Sequence, residues 1–249
     1  MAILILQHAA HCGPGRLASC LRDHGFALDT RRLDLPADHP LQRGKKIGVP
    51  TDLDNIHGVI SLGGPMNVTD NPAWLAAEVA LIKKAHEAQL PVIGICLGHQ
   101  IIAHALGGQV GPMDKPELGF HDVSLTVPAQ TETLMGGIPW TCPQYCSHGQ
   151  EVKQLPPGAM LLASSKACKT QAFKVGLRTF GFQFHFECDQ AMIAELEKCD
   201  TGLGQWARTS EAPKGHDPAA AMEMFSRAAD RLCVNIAAFL FPVKAKLSA

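Results

Sequence analysis

The chain has 249 residues, 46% of them hydrophobic and 18% charged, with a formal net charge of -1. That composition supports a sizeable core and excludes global disorder. The near-neutral balance argues against a general nucleic-acid binder or a protein drawn to anionic membranes.

In chain order, Ala2–Leu6 is a strand candidate. The apolar start at Met1 lacks a basic region and a cleavage site, so it does not read as a signal peptide. Gly13-Pro14-Gly15 opens a helix to about His24, and Ala27–Leu33 is the next strand. His57–Leu62 is a buried strand ended by Gly63-Gly64-Pro65. Asp70-Asn71-Pro72 is expected to cap a helix through about Ala88, with proline in a tolerated first-turn position. Pro91–Ile95 is an apolar strand, and a helix over Leu97–Leu106 follows it. Alternating strands and helices imply a parallel sheet covered on both faces.

The second half changes character. Val123–Val127, Gln144–Ser147, Met160–Ser164, Gln171–Val175 and Thr179–Phe186 read as short strands that complete the sheet. Asp189–Lys198 reads as a helix, Thr201–Asp217 as a loop, and Asp217-Pro218 as the cap of a last helix to about Phe241. The longest apolar run, near Val234–Val243, falls short of the roughly 20 residues a membrane span needs. Nine cysteines without a leader point to free thiols in a reducing, cytoplasmic setting. Cys142, Cys146 and His148 have a spacing that admits a metal, but no second ligand pair follows, and none is assigned.

The sharpest chemical signal is Cys96, set between Gly94 and Gly98 where a strand turns into a helix. This is a thiol version of the nucleophile elbow. A turn that tight has no room for a Cβ on either flank. A cysteine at a helix N-terminus also gains thiolate character from the backbone N–H groups and the helix dipole. A second signal is His185 followed by Glu187. On a strand they would project from one face, so the carboxylate could orient the imidazole as a general base. A third is Gly63-Gly64-Pro65 after a buried strand, which can leave N–H groups open for an oxyanion. Alone, each admits a plain reading: a buried thiol, a surface pair on an edge strand, an ordinary βα turn.

Together these residues resemble the class I glutamine amidotransferases, and within them the glutaminase part of GMP synthetase. Gly94-Ile95-Cys96-Leu97-Gly98-His99-Gln100 matches the family's G-[IV]-C-x-G-x-Q string. Gly181–Glu187 matches G-x-Q-F-H-P-E, except that Phe186 stands in place of proline. Ser147-His148-Gly149 resembles S-H-G-D with Gln150 for the aspartate, and Glu117–Phe120 is similar to E-[IL]-G-[WF]. The likeness runs over roughly residues 2–190.

The resemblance implies an α/β three-layer sandwich, with a mostly parallel central sheet and helices on both faces, in a flavodoxin-like arrangement. It implies an amidotransferase domain over residues 1–190 and a helical extension over 191–249 packed on it. It implies Cys96 as nucleophile, His185 as base then acid, and Glu187 as its orienting partner. Gly64 and Leu97 would be the oxyanion donors. Gln100, Ser147 and His148 would surround the α-amino and α-carboxylate groups of the substrate. The reaction expected is hydrolysis of the glutamine side-chain amide, with no cofactor and no metal. With no ATP-pyrophosphatase domain following, the likeness is to stand-alone members, and a separate ammonia-accepting synthase is the implied partner. Neither a nucleic acid nor a membrane is expected as a partner. Two alternatives stay open: a γ-glutamyl peptide hydrolase using the same triad, and a non-catalytic binding protein on this scaffold.

Overall fold

The computed structural model describes residues 1–198 and 217–241. Nine strands form one sheet: β1 (Ala2–Gln7), β2 (Leu28–Arg32), β3 (Ile56–Ser61), β4 (Val92–Ile95), β5 (Gln109–Leu125), β6 (Thr141–Gln154), β7 (Met160–Ser164), β8 (Ala172–Val175) and β9 (Thr179–Phe182). Their order is β2-β1-β3-β4-β9-β8-β7-β5-β6. The half from β2 to β9 is parallel, and the strands added beyond it are antiparallel.

Five α-helices are described: α1 (Gly15–Asp23), α2 (Leu75–Glu87), α3 (Leu97–Ala105), α4 (Gln190–Lys198) and α5 (Pro218–Asn235). The period-2 alternation of β1 divides the core. Ile3 and Ile5 join Leu17 and Leu21 of α1 and Phe225 and Leu232 of α5 on one face. Leu4 and Leu6 join Leu81 and Ile82 of α2 and Ile101 of α3 on the other. The result is the three-layer α/β sandwich expected from the sequence. None of the described helices is long and apolar enough to cross a membrane.

Three local expectations need correction. The helix expected from Pro72 begins at Leu75. Asn67 and Asp70 close a capping box on a single 3-10 turn, and Asn71 ends that turn in the left-handed region at φ 48°. The short strands expected at Val123–Val127 and Gln144–Ser147 belong to one long antiparallel pair, β5 with β6. Its register breaks between Pro112 and Glu117, and Pro112 and Pro116 interrupt the pattern, so no clean alternation marks it.

The third correction bears on the site. β9 stops at Phe182, so His185 and Glu187 do not share a strand face. The chain leaves the β4 ladder there, and the His185 N–H donates to Tyr145 O of β6 at 2.8 Å. Asp217 caps α5 as expected, accepting from the Ala220 N–H. The loop expected over Thr201–Asp217 otherwise lies outside the described residues.

Candidate active site

The site sits at the C-terminal ends of the parallel strands, where open α/β sheets leave a crevice. Cys96 follows β4 directly and is the N-cap of α3. Its backbone is at φ 51°, ψ -102°, a region that a residue with a side chain rarely occupies. The surroundings enforce this turn. A Cβ on Gly94 would lie 2.4 Å from Gly98 O, and one on Gly98 would lie 2.1 Å from Ser61 O. Helix and strands therefore approach at backbone distance, and Cys96 is pushed up at the bend. The Cys96 N–H donates to Phe182 O at 2.8 Å, and its thiol points toward Ser147 O at 3.7 Å.

His185 and Glu187 come together from a turn. His185 Nδ1 lies 2.8 Å from Glu187 Oε1, and both side chains are almost fully buried. The Arg16 N–H donates to Glu187 O at 2.9 Å, and Arg16 Nε donates to Cys188 O at 3.0 Å, so the start of α1 pins this segment. Burial opposes charge on His185, but Glu187 and Cys96 beside it prevail, and the ring titrates well above the ordinary imidazole range. The ring also lies against Gly63: a Cβ there would meet His185 Cε1 at 2.9 Å and Cys96 Cβ at 3.6 Å. Three segments distant in sequence thus meet at one point.

Gly64 and Leu97 flank the thiol from the ends of β3 and β4. Neither of their N–H groups is engaged in the backbone hydrogen bonds of the described residues. Around them opens a cleft of about 480 Å³, lined by Cys96, His185, Gly64, Leu97, Gln100, Ser147 and His148 among others. Every site residue expected from the sequence except Glu187, which stands behind His185, borders this cleft.

Gln100 and His148 on this wall are also engaged with the chain. Gln100 Nε2 donates to Gln150 O at 3.2 Å and to Gln183 Oε1 at 3.1 Å. His148 Nδ1 donates to Gln150 O at 2.9 Å, and its Nε2 sits 3.1 Å from Glu117 Oε2.

Glu117 is the buried anchor of this wall. It also accepts from Ser165 Oγ and Gln171 Nε2, each at 2.7 Å. Burial alone would raise its pKa, but His148, the Ser165 hydroxyl and His121 hold it below the usual carboxylate value. A carboxylate depressed in the folded state stabilises the fold above the unfolded pKa, near 4.3, and that contribution is lost as pH falls through the folded value. Glu117→Gln must turn an N–H₂ toward one of these donors. It is expected to cost about 2–3 kcal/mol at pH 7. It should also flatten the acid loss of stability, as read by denaturant unfolding at pH 7 and about pH 3. Equal sensitivity to acid in variant and parent would exclude this account.

Residues not singled out from the sequence also face the cleft: His11 and Cys12 beyond β1, Met66 and Asn67 beyond β3, and Leu196 of α4. Burial pushes the Cys12 thiol up to about 12, which leaves it little thiolate at neutral pH. The signal that would have found the first four is topological, since they follow the carboxyl ends of parallel strands. Cys142 and Cys146 do not converge with His148. Among the described residues the compact groups of metal-ligating atoms are Glu117, His148 and Cys168, and the site's own His185, Glu187 and Cys188.

Known proteins agree with this architecture. The chain is 38% identical over 132 residues to a glutamine-hydrolyzing GMP synthase subunit from Thermococcus kodakarensis, covering 52% of this chain and 65% of the relative. It is 31% identical over 151 residues to gamma-glutamyl peptidase 3 of Arabidopsis thaliana, covering 58% of this chain and 60% of that one. The matched part thus spans less than two thirds of either relative. The crystal structure of a glutamine amidotransferase from Methylobacillus flagellatus superposes with a TM-score of 0.75 at 24% identity, over 94% of this chain and 93% of the other, which speaks for the fold. Residues 15–192, which carry the elbow, the glycine loop and the histidine–glutamate turn, match the family described as glutamine amidotransferase class-I. The chain belongs to the class I glutamine amidotransferase family, on its GMP synthetase glutaminase-like side.

Proposed function

We propose that the protein hydrolyses the side-chain amide of glutamine to glutamate and ammonia through a γ-glutamyl thioester on Cys96. The observation that carries this reading is a thiol held at φ 51° within reach of a buried imidazole–carboxylate pair. His185 takes the thiol proton, and the thiolate attacks the amide carbon. The N–H groups of Gly64 and Leu97 receive the negative charge on the amide oxygen. Collapse of the tetrahedral species breaks the C–N bond as His185 returns the proton to the departing ammonia. A water, deprotonated by His185, then attacks the thioester and releases glutamate and the thiol. Glu187 holds the ring with Nδ1 protonated and offsets the imidazolium charge. Gln100, Ser147 and His148 line the wall against which the α-amino and α-carboxylate groups would lie.

The ammonia would pass to a separate synthase. The Thermococcus kodakarensis relative is itself named as one subunit of a synthase, which supports a partner of that kind. Residues 1–190 would form the catalytic unit, with 191–249 as its helical extension. A second reading, hydrolysis of a γ-glutamyl amide with a larger leaving group, is favoured by the reach of the cleft past Cys96 to His11, Cys12 and Leu196. The gamma-glutamyl peptidase relative supports it as well.

The test is mass spectrometry of the intact protein after incubation with glutamine or a γ-glutamyl dipeptide. Glutamine should give a γ-glutamyl adduct on Cys96 and free glutamate. An adduct formed only from the dipeptide would select the second reading. A glutamine-mimicking electrophile that leaves Cys96 unlabelled would remove both.

A further inference from the structure

A second imidazole–carboxylate pair lies behind the glycine loop, and the mechanism above does not use it. His8, just beyond β1, is fully buried, with Nε2 2.9 Å from Glu78 Oε2 and Nδ1 3.0 Å from Leu62 O. Glu78, also fully buried, accepts from Ser61 Oγ at 2.6 Å through its other oxygen. Trp74 covers the imidazole at a centroid distance of 4.5 Å. His8 borders no part of the cleft, so it does not touch substrate.

The protonation of this ring follows from its partners. A carbonyl only accepts, so Nδ1 must carry a hydrogen to bond Leu62 O. A bare Nε2 against a carboxylate oxygen would set lone pair against lone pair, so a proton also lies between Nε2 and Glu78. With Glu78 ionised, His8 is an imidazolium. Burial works against that charge, but Glu78 and the backbone acceptors outweigh it, and His8 titrates above the ordinary value. Asp34, beyond β2 and itself paired with Arg32, also interacts with it.

Leu62 O is the hub. Besides the bond from His8, it accepts the Gly98 N–H at 3.1 Å. Gly98 follows Leu97, and Leu62 precedes Gly64 by two residues, so one carbonyl links the backbone of both oxyanion donors. Gly64 also rests on His8: a Cβ there would meet His8 Cβ at 2.8 Å and Leu97 Cδ2 at 2.9 Å. We propose that His8, held by Glu78, is a positioning residue that sets the spacing of the Gly64 and Leu97 N–H groups through the Leu62 carbonyl. This rests on the glutaminase reading for its kinetic consequence, and on geometry alone for the hydrogen bond.

The test compares two variants on glutamine. His8→Phe keeps a ring but loses the donor. His8→Asn keeps an N–H near the position of Nδ1. His8→Phe is expected to lower kcat about 10- to 100-fold with KM changed less than about 3-fold, since full loss of one oxyanion donor costs about 10²–10³. His8→Asn should recover most of that loss. A kcat for His8→Phe within about 2-fold of the parent, or a loss that appears only in KM, would overturn the proposal. Should His8→Phe not fold, the ¹⁵N shifts of the His8 ring in the unaltered protein decide. Both nitrogens should be protonated at about pH 8, where an ordinary imidazole is neutral. A bare Nδ1 there would remove the bond to Leu62 and the proposal with it. That readout needs no turnover. An inert parent enzyme with a doubly protonated His8 would refute the glutaminase reading and leave the His8–Leu62 bond standing.

Discussion

Cys96→Ala is expected to abolish γ-glutamyl adduct formation and to lower glutamate release by about 10⁴-fold or more. The thiol supplies the only covalent path in the proposed mechanism, and nothing else in the cleft replaces it. Cys12 borders the same space, but its thiol is pushed up to about 12, which leaves little thiolate at neutral pH. The substitution should leave the fold intact. Alanine loses one atom at a nearly buried position, and it carries the same backbone strain at φ 51° that cysteine does. That strain argues against a non-catalytic scaffold. A non-glycine residue in this region costs about 1–3 kcal/mol, and glycine would remove most of it. Retaining a side chain there is useful when the side chain reacts. Glutamate release by the alanine variant at a rate near that of the parent would sink the mechanism.

The parts of the site that are legible in the sequence are those fixed by local contacts. Gly94 and Gly98 announce the elbow because a Cβ at either would strike backbone within a few residues or in the adjacent strand. The layer order is legible because β1 alternates between two cores, and because helices follow β1, β3 and β4 in turn. His185 and Glu187 are recognisable as a pair, but the strand that the alternation implies does not extend so far. Their geometry comes from a turn tied to Tyr145 O on one side and to Arg16 on the other, and neither bond has a signature in the sequence. The long β5–β6 ribbon is hidden because prolines and a register shift erase its alternation. His8 and Glu78 are illegible for a different reason. They stand 70 residues apart on separate elements, and only the fold makes them neighbours. Local rules report local geometry, and this second pair is a long-range product of topology.

Gly98→Ala tests whether close approach of α3 to β3 builds the site. The added methyl would lie 2.1 Å from Ser61 O and 2.6 Å from Ser61 C, both backbone atoms. Ser61 has little freedom to retreat: it pairs with Leu6 on one side and Gly94 on the other, and its Oγ is bonded to Glu78. The helix must move instead. That movement breaks the Gly98 N–H bond to Leu62 O and shifts Leu97 and Cys96 with it. Overpacking of this kind is expected to cost about 3 kcal/mol or more, a fall of roughly 6–12 °C in Tm for a chain this size. Turnover should fall with it even in the fraction that stays folded. Gly111→Ala on β5 is the matched control. Its nearest neighbour would be Lys153 Cγ at 3.4 Å, the stem of a flexible side chain, so a change within about 0.5 kcal/mol is expected. If Gly98→Ala melted with the parent protein, the two backbones would have more slack than this geometry allows. The strain on Cys96 would then need a source other than the squeeze between α3 and β3.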